Sequence, residues 1–124
     1  MIRIDYQDKR PIYEQVIERL QNLIVRGVLV PDTKLPSVRN LAIELSINPN
    51  TIQRAYTELE RTGFIYTVKG KGNYVAEDQI WRGTEKKNVM NDLEKSVQQV
   101  IALGVSEEET KKFIEEAYRK GREA

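Results

Sequence analysis

Residues 35–63 read LPSVRNLAIELSINPNTIQRAYTELERTG, and this stretch decides the fold. Its apolar residues recur at three- and four-residue steps in two short runs, which predicts amphipathic helices over about 37–46 and 49–62. The second helix begins at Asn48-Pro49, since asparagine is a preferred N-cap and proline suits the first helical position. Two short helices joined by about three residues are typical of a helix-turn-helix.

The flanks of this stretch complete a small mixed domain. Upstream, residues 11–26 show helical periodicity, and Gly27 follows where a helix end commonly places glycine. Downstream, residues 64–68 and 73–75 are aromatic and β-branched, which predicts a β-hairpin with Lys69-Gly70-Lys71-Gly72 at its tip. A hairpin after a helix-turn-helix forms a wing. The predicted fold class is therefore mainly α with a small β-hairpin, a winged helix-turn-helix followed by two further helices.

The C-terminal third predicts a linker and a two-helix tail. Residues 77–84 are polar and include Gly83, so we interpret them as a linker. Apolar periodicity then predicts helices over about 85–103 and 107–120, with Ser106 as the N-cap of the second. The predicted domains are a winged helix-turn-helix at 1–76, a linker at 77–84 and a tail at 85–124.

Composition removes several function classes. The 124 residues contain no cysteine and no histidine, which excludes a thiol nucleophile, an imidazole acid or base, and a metal held by either residue. The carboxylates at 107–109 stand at a capped helix start, where they match the helix dipole. We therefore expect no enzymatic activity, no metal and no cofactor. The sequence shows no secretory signal and no apolar run of 18 residues, so we expect a cytoplasmic protein that does not enter a membrane.

Charge is divided unevenly along the chain. Residues 1–76 contain 11 Lys or Arg and 8 Asp or Glu, whereas residues 77–124 contain 9 and 11, and the whole chain has a net charge of +1. The basic excess lies in the part that contains the helix-turn-helix, which favours nucleic acid as a partner of that part. The acidic excess of the tail indicates that the tail has a role other than binding nucleic acid.

The predicted helix 49–62 has the composition of a DNA-reading helix. In a helix-turn-helix, the N-terminal turn of the second helix enters the major groove. Hydrogen-bonding side chains gather there, at Asn48, Asn50, Thr51, Gln53 and Arg54. Arginine pairs with guanine, and Asn or Gln with adenine, through two hydrogen bonds. Simpler interpretations stay open: Asn48 as a cap alone, Thr51 and Gln53 as solvated side chains, and Arg54 paired with Glu58.

Residues 35–42, 47–56 and 59–63 together resemble the DNA-binding domain of the GntR family of bacterial transcription regulators. Residues 11–15 and 70–75 are similar to the first helix and the wing of that family, so the resemblance covers about residues 9–76. Many family members carry arginine where this chain has Pro49, and base recognition here must therefore use other side chains.

The resemblance implies roles for individual residues. Arg39 would contact DNA from the first helix of the motif, and Ser37 would bind a phosphate. The recognition-helix contacts would be Asn48, Asn50, Thr51 and Gln53. A wing tip of Lys69, Gly70 and Lys71 would reach the minor groove, although a Lys-Gly-Lys-Gly turn also occurs in plain hairpins.

The tail is too short for a large effector domain and resembles the YtrA subfamily, whose tail is a dimerisation arm. A two-helix tail of about 40 residues buries little apolar surface by itself, which favours a two-fold symmetric partner. The candidate interface residues are the apolar positions of both helices: Val89, Met90, Leu93, Val97, Val100, Ile101, Phe113, Ile114, Ala117 and Tyr118. Packing of the tail on its own winged helix is the alternative.

These patterns predict a sequence-specific DNA-binding transcription regulator. We expect a homodimeric repressor that binds a near-palindromic double-stranded operator through helix 49–62 and wing 69–72. The alternative is an effector-responsive regulator in which a small molecule binds the tail or the hinge at 77–84 and releases DNA. The sequence shows no recognisable ligand site for such an effector.

Overall fold

The computed structural model describes residues 1–123, and over that range it contains five helices and one two-stranded sheet. In chain order the elements are α1 (Ile12–Val25), α2 (Val38–Leu45), α3 (Pro49–Arg61), β1 (Ile65–Val68), β2 (Gly72–Val75), α4 (Asp78–Ala102) and α5 (Glu107–Glu123). They form two compact units, one at Met1–Gly83 and one that begins at Thr84. The predicted fold class is confirmed, whereas the domain limits at 76 and 84 stay predictions.

The core of the first unit lies where α1, α2, α3 and the hairpin meet. Helix α3 contributes four side chains that are at most 1 % exposed, at Ile52, Ala55, Tyr56 and Leu59. The other elements supply Val16, Leu20, Ile24, Leu35, Leu41, Phe64, Ile65 and Val75. Since the buried positions of α3 recur every three or four residues, its opposite face stays in solvent.

Local hydrogen bonds set the turn between α2 and α3. Ser37 Oγ accepts a hydrogen bond from the backbone N–H three residues on, at 3.0 Å. Asn48 Oδ1 accepts one from the N–H two residues on, at 2.8 Å. Both residues are therefore N-caps, which confirms the cap predicted at Asn48 and adds one at Ser37. The Tyr56 hydroxyl donates to the Pro36 carbonyl at 2.7 Å, which ties α3 to the segment before α2.

The hairpin forms where the sequence predicts it, although Gly72 of the predicted tip belongs to β2. Strands β1 and β2 are antiparallel, with Ile65 opposite Val75 and Val68 opposite Gly72. At the tip, Gly70 has a φ of +78°, and the N–H of the next residue donates to the Val68 carbonyl at 2.9 Å. Glycine adopts such a φ without steric cost, so this turn requires it.

The segment before α2 adds a partial third strand, which the sequence analysis treated as a plain connector. Lys34 forms an isolated antiparallel bridge with Tyr74. The N–H of Leu35 donates to the Asn73 carbonyl, and the N–H of Val75 to the Thr33 carbonyl, both at 2.9 Å. These bonds attach one edge of β2 to the core.

Helix α4 begins at Asp78, so the predicted helix start at about 85 is wrong. Residues 78–84 are helical, and their role as a linker between domains stays a prediction. Trp81 is 3 % exposed and stacks on Phe64, with ring centroids 5.2 Å apart. One turn of helix also brings Arg82 Nε within 2.9 Å of Asp78 Oδ2. Burial of an aromatic ring and an i,i+4 ion pair stabilise these turns despite Gly83.

The second unit consists of the rest of α4 and α5. The N–H of Glu109 donates to Ser106 Oγ at 3.1 Å, so the predicted N-cap of α5 is confirmed. Helix α5 has no buried residue. Among residues 1–123, no helix is both long and apolar enough to cross a membrane.

Candidate nucleic-acid interface

The solvent face of α3 carries the predicted recognition residues. Asn48, Asn50, Gln53 and Arg54 are exposed, and Thr51 is half-buried. The cap function of Asn48 is confirmed, and its contact with DNA stays a prediction. Gln53 Nε2 donates to Thr57 Oγ1 at 3.2 Å, one turn further along the helix.

Arg54 does not pair with Glu58. Its guanidinium carbon lies over the Tyr13 ring, 3.7 Å from the centroid, which is a cation–π contact. Glu58 instead accepts a hydrogen bond from Arg61 Nε at 2.9 Å, and that guanidinium holds the pKa of the Glu58 carboxyl below its usual value. Arg54 therefore forms no salt bridge with a carboxylate among residues 1–123.

A groove between α1 and α3 brings several of these side chains together. It has a volume of about 700 Å³ and is lined by Asn50, Gln53 and Arg54 from α3 and by Tyr13 from α1, among others. A smaller depression beside it is lined by Thr51 together with Asn50, Arg54 and Tyr13. Both face solvent, as a surface that receives a nucleic acid must.

Tyr13 is the functional candidate that sequence reasoning missed. It belongs to the Pro11–Gln15 segment that resembles the family's first helix, but its spacing alone marks it as part of the amphipathic helix α1. Its cation–π contact with Arg54 brings together two positions that are 41 residues apart in the chain. No local pattern signals such a contact.

Ser37 and Arg39 lie at the start of α2, and neither lines the groove between α1 and α3. Ser37 is exposed, and its hydroxyl already accepts the cap hydrogen bond, which leaves the O–H free to donate to a phosphate. Arg39 is exposed and forms no salt bridge within residues 1–123.

The wing tip is a cationic turn in solvent. Lys69, Gly70 and Lys71 are all exposed. A third cation lies beside the wing tip, since a Cβ added to Gly72 would lie 3.0 Å from Lys34 Cε. The position of Lys34 follows from the partial third strand, so sequence reasoning did not place it there.

Two tyrosines stiffen the hairpin below its tip. The Tyr66 and Tyr74 rings stack with centroids 5.5 Å apart. The Tyr66 hydroxyl donates to Asp32 Oδ1 at 2.7 Å, and this hydrogen bond raises the pKa of Tyr66. Over residues 1–123 the structure has no group of three or more Asp or Glu side chains suited to hold a metal.

The second unit exposes most of the predicted interface residues. Val89, Met90, Leu93, Ile101, Phe113, Ala117 and Tyr118 are exposed, while Val97, Val100 and Ile114 are half-buried. Val97, Val100 and Ile101 line an apolar groove of about 360 Å³ with Val105, between the end of α4 and the start of α5. Leu103, which the sequence analysis did not select, is 81 % exposed.

Comparisons with known proteins agree with this architecture. The family model described as bacterial regulatory proteins, gntR family, matches residues 12–75. The HTH-type transcriptional repressor YtrA of Bacillus subtilis (strain 168) is 40% identical over 120 residues, which cover 94% of this chain and 91% of YtrA.

Solved structures give the same picture. A GntR family transcriptional regulator from Listeria monocytogenes superposes with a TM-score of 0.77 at 36% identity, over 91% of this chain and 98% of that one. The crystal structure of AraR(DBD) in complex with operator ORE1 has a TM-score of 0.53 at 32% identity, over 59% of this chain and 89% of that one.

Proposed function

The chain belongs to the GntR family of bacterial regulatory proteins, and from this premise we propose that it is a homodimeric repressor acting at a near-palindromic operator. It is a DNA-binding transcription regulator and belongs to a class without enzymatic activity. The name of the Bacillus subtilis relative YtrA supports repression as the outcome. The operator complex of AraR(DBD) supports duplex DNA as the partner of the first unit.

The observation that carries the proposal is the division of α3 into two faces. One face is buried at Ile52 and Leu59, which fixes the helix rigidly on the core. The other presents Asn50, Gln53 and Arg54 along an open groove. Side chains that project from a rigid helix can read base edges, because hydrogen-bond discrimination requires fixed geometry.

In vitro selection of bound duplexes, followed by binding titrations, tests base reading. Arg54→Ala is expected to weaken operator binding by about 1–3 kcal/mol, or about 5- to 150-fold, and to relax preference at one base pair. Arg39→Ala is expected to weaken binding to all sequences alike if it contacts phosphate. Arg122→Ala, which also removes one positive charge but lies in α5, is the matched control. Unchanged operator affinity of both Arg54→Ala and Arg39→Ala would contradict the assignment of these residues as DNA contacts.

The two wing lysines are proposed to contact phosphates or the minor groove. Replacement of Lys69 and Lys71 by alanine is expected to make the negative slope of log K against log salt less steep, by about one unit per lysine. Sequence preference is expected to persist, since phosphate contacts carry no base information. An unaltered slope would leave the Lys-Gly-Lys-Gly turn with a structural role only.

The second unit is proposed to be the dimerisation arm. Phe113 is 75 % exposed in the single chain, and Met90 and Leu93 are also exposed. Full burial of one such side chain from a fully exposed state contributes about 1.5–3 kcal/mol, so covering several of them favours a symmetric contact between two copies. The two DNA-binding units of such a dimer then lie about one DNA turn apart, roughly 34 Å, which fits a near-palindromic operator.

A charge placed in the proposed interface tests the dimer. Leu93→Asp is expected to give monomers in sedimentation equilibrium. It is also expected to weaken operator binding, because the two winged helix-turn-helix units of a dimer are then no longer linked to each other. Gln98→Asp introduces the same charge at an exposed polar position of α4 and is expected to leave the dimer intact. A wild-type protein that sediments as a monomer, or a dimeric Leu93→Asp variant, would refute this part of the proposal.

A small-molecule effector is proposed as a further partner. The specific observation in its favour is a cavity of the first unit that is lined in part by Asp78, Trp81 and Arg82, from the first turns of α4. An effector at this place is expected to change operator affinity by a thermodynamic coupling between the two sites. That coupling is measured by operator titrations in the absence of a small molecule and at a concentration that saturates its binding to the protein.

A further inference from the structure

Gln53 and Thr57 form a hydrogen-bonded pair on the solvent face of α3. Gln53 Nε2 donates to Thr57 Oγ1 at 3.2 Å across four positions of the chain, and both side chains are exposed. Both also line the groove between α1 and α3, together with Asn50 and Arg54. Because residues four positions apart lie on the same face of a helix, this pair belongs to the surface that is proposed to meet the operator.

A glutamine needs a restraint of this kind before it can identify a base. Its long side chain has several rotatable bonds, and its amide group carries an acceptor at one end and two donors at the other. A freely rotating amide can therefore pair with many base edges. A second side chain that fixes the amide limits the bases it accepts and reduces the entropy lost on binding.

The hydrogen bond to Thr57 leaves a defined part of the Gln53 amide for DNA. It uses one of the two N–H donors and leaves the other N–H and the carbonyl oxygen side by side. Adenine presents the complementary pair in the major groove, with N7 as an acceptor and the N6 amino group as a donor. Guanine presents two acceptors there, N7 and O6, so it matches this edge through only one hydrogen bond.

We propose that Thr57 is a positioning residue that orients the Gln53 amide, and that Gln53 thereby recognises an adenine of the operator through N7 and the N6 amino group. The inference rests on the proposed role of Gln53 as an operator contact, and it adds the base that is recognised. Since Thr57 acts through Gln53, its hydroxyl changes the choice of base and not the general affinity for DNA.

The first experiment identifies the base that Gln53 contacts. In vitro selection with the wild-type protein and with Gln53→Ala shows which base preference depends on Gln53. The wild-type protein is expected to prefer adenine there by about 5- to 150-fold, the range for one bidentate pair. Replacing that adenine by 7-deazaadenine, which lacks the N7 acceptor, or by purine, which lacks the N6 amino group, is expected to weaken binding at least about twofold.

Variants of Thr57 test the positioning role. Thr57→Val removes the hydroxyl and keeps a β-branched side chain of similar size. It is expected to reduce the adenine preference by about two- to tenfold, the contribution of one hydrogen bond, with little change in affinity for the other bases. Thr57→Ser keeps a hydroxyl and is expected to restore the preference. Thr84→Val makes the same change at an exposed position of α4 and is the matched control.

NMR relaxation of the Gln53 side-chain amide nitrogen measures the restraint without DNA. The amide is expected to move more freely on the picosecond-to-nanosecond timescale in Thr57→Val than in the wild-type protein or in Thr57→Ser. This measurement does not depend on a contact between Gln53 and the operator. Failure of the restraint and failure of the proposed operator contact are therefore distinguishable.

Four results would overturn the proposal. The first is an amide that is equally mobile in the wild-type protein and in Thr57→Val. The second is an adenine preference that Thr57→Val leaves intact. The third is an equal loss of affinity for all sequences in Thr57→Val, which would mean that Thr57 contacts DNA by itself. The fourth is a Gln53-dependent preference for guanine, which would mean that the amide is reversed. If Gln53→Ala changes no base preference at all, the proposed operator contact of Gln53 is wrong and the inference falls with it.

Discussion

The contact between Arg54 and Tyr13 gives the sharpest prediction about DNA recognition. The guanidinium carbon lies 3.7 Å from the ring centroid, which holds the arginine against α1 in the absence of DNA. Tyr13→Leu removes the aromatic face and keeps an apolar side chain at a half-buried position. Tyr13→Phe keeps the face and is the control.

The magnitude follows from two contributions. A cation–π contact at an exposed site is worth about 0.5–1 kcal/mol, and immobilising a long side chain on binding costs about 0.5–1.5 kcal/mol. When the contact between Arg54 and Tyr13 is kept in the DNA complex, Tyr13→Leu removes the preorganisation of the Arg54 side chain. The expected loss is about 0.5–1.5 kcal/mol, or roughly twofold to tenfold in operator affinity.

Fluorescence anisotropy with the selected operator measures the four proteins of a double-mutant cycle. Tyr13→Leu is expected to weaken binding in the wild-type background and to have no effect once Arg54 is alanine. Equal losses in both backgrounds would mean that Tyr13 contacts DNA by itself. Tighter binding by Tyr13→Leu would mean that the stack has to break before Arg54 reaches a base. Either result refutes the reasoning, provided that thermal unfolding shows the variants to be folded.

Further predictions concern the scaffold that presents these side chains. Tyr56→Phe loses the 2.7 Å hydrogen bond of a buried hydroxyl and is expected to lower the free energy of unfolding by about 1 kcal/mol in urea titrations. Burial raises the pKa of Tyr56, so this difference is fully present below pH of about 10, the value for an exposed tyrosine, and shrinks as the pH rises above it. Gly63→Ala is expected to destabilise the protein by about 1–3 kcal/mol, because Gly63 has a φ of +84° and the new Cβ would lie 2.5 Å from Ile80 Cγ2. Gly83→Ala, at an open helical position, is expected to stabilise it by about 0.5–1 kcal/mol, and a loss there would contradict the helical start of α4. Asn48→Ala is expected to cost about 1 kcal/mol in thermal unfolding and Asn48→Ser only a few tenths, since serine preserves the cap; equal costs would show that the cap hydrogen bond contributes nothing.

Local chemistry made much of the fold predictable. The caps at Ser37, Asn48 and Ser106 form within three residues of the side chain that makes them. Likewise, the glycine tip of the wing and the buried stripe of α3 follow from neighbouring residues, because turn geometry and helical periodicity are properties of short segments. The family resemblance rested on these same segments.

The predicted start of the fourth helix at about 85 was wrong for a related reason. Polar residues and Gly83 are typical of a linker. When only neighbouring residues are considered, a single tryptophan does not change that interpretation. In the folded chain that tryptophan stacks on Phe64, a residue 17 positions earlier. Burial of a large aromatic ring stabilises the start of α4 more than the glycine weakens it.

The sequence by itself determined the helices, the hairpin, the polar face of α3 and the absence of cysteine and histidine chemistry, all of which depend on composition or on residues close along the chain. The tertiary structure alone decided that Arg54 stacks on Tyr13 rather than pairing with Glu58, and that the segment at Lys34 completes the sheet. It also decided that Trp81 is buried, with its ring on Phe64 and its N–H without an acceptor among residues 1–123. Each of these joins residues far apart in the chain, and such contacts arise from how the elements pack, which no short segment encodes.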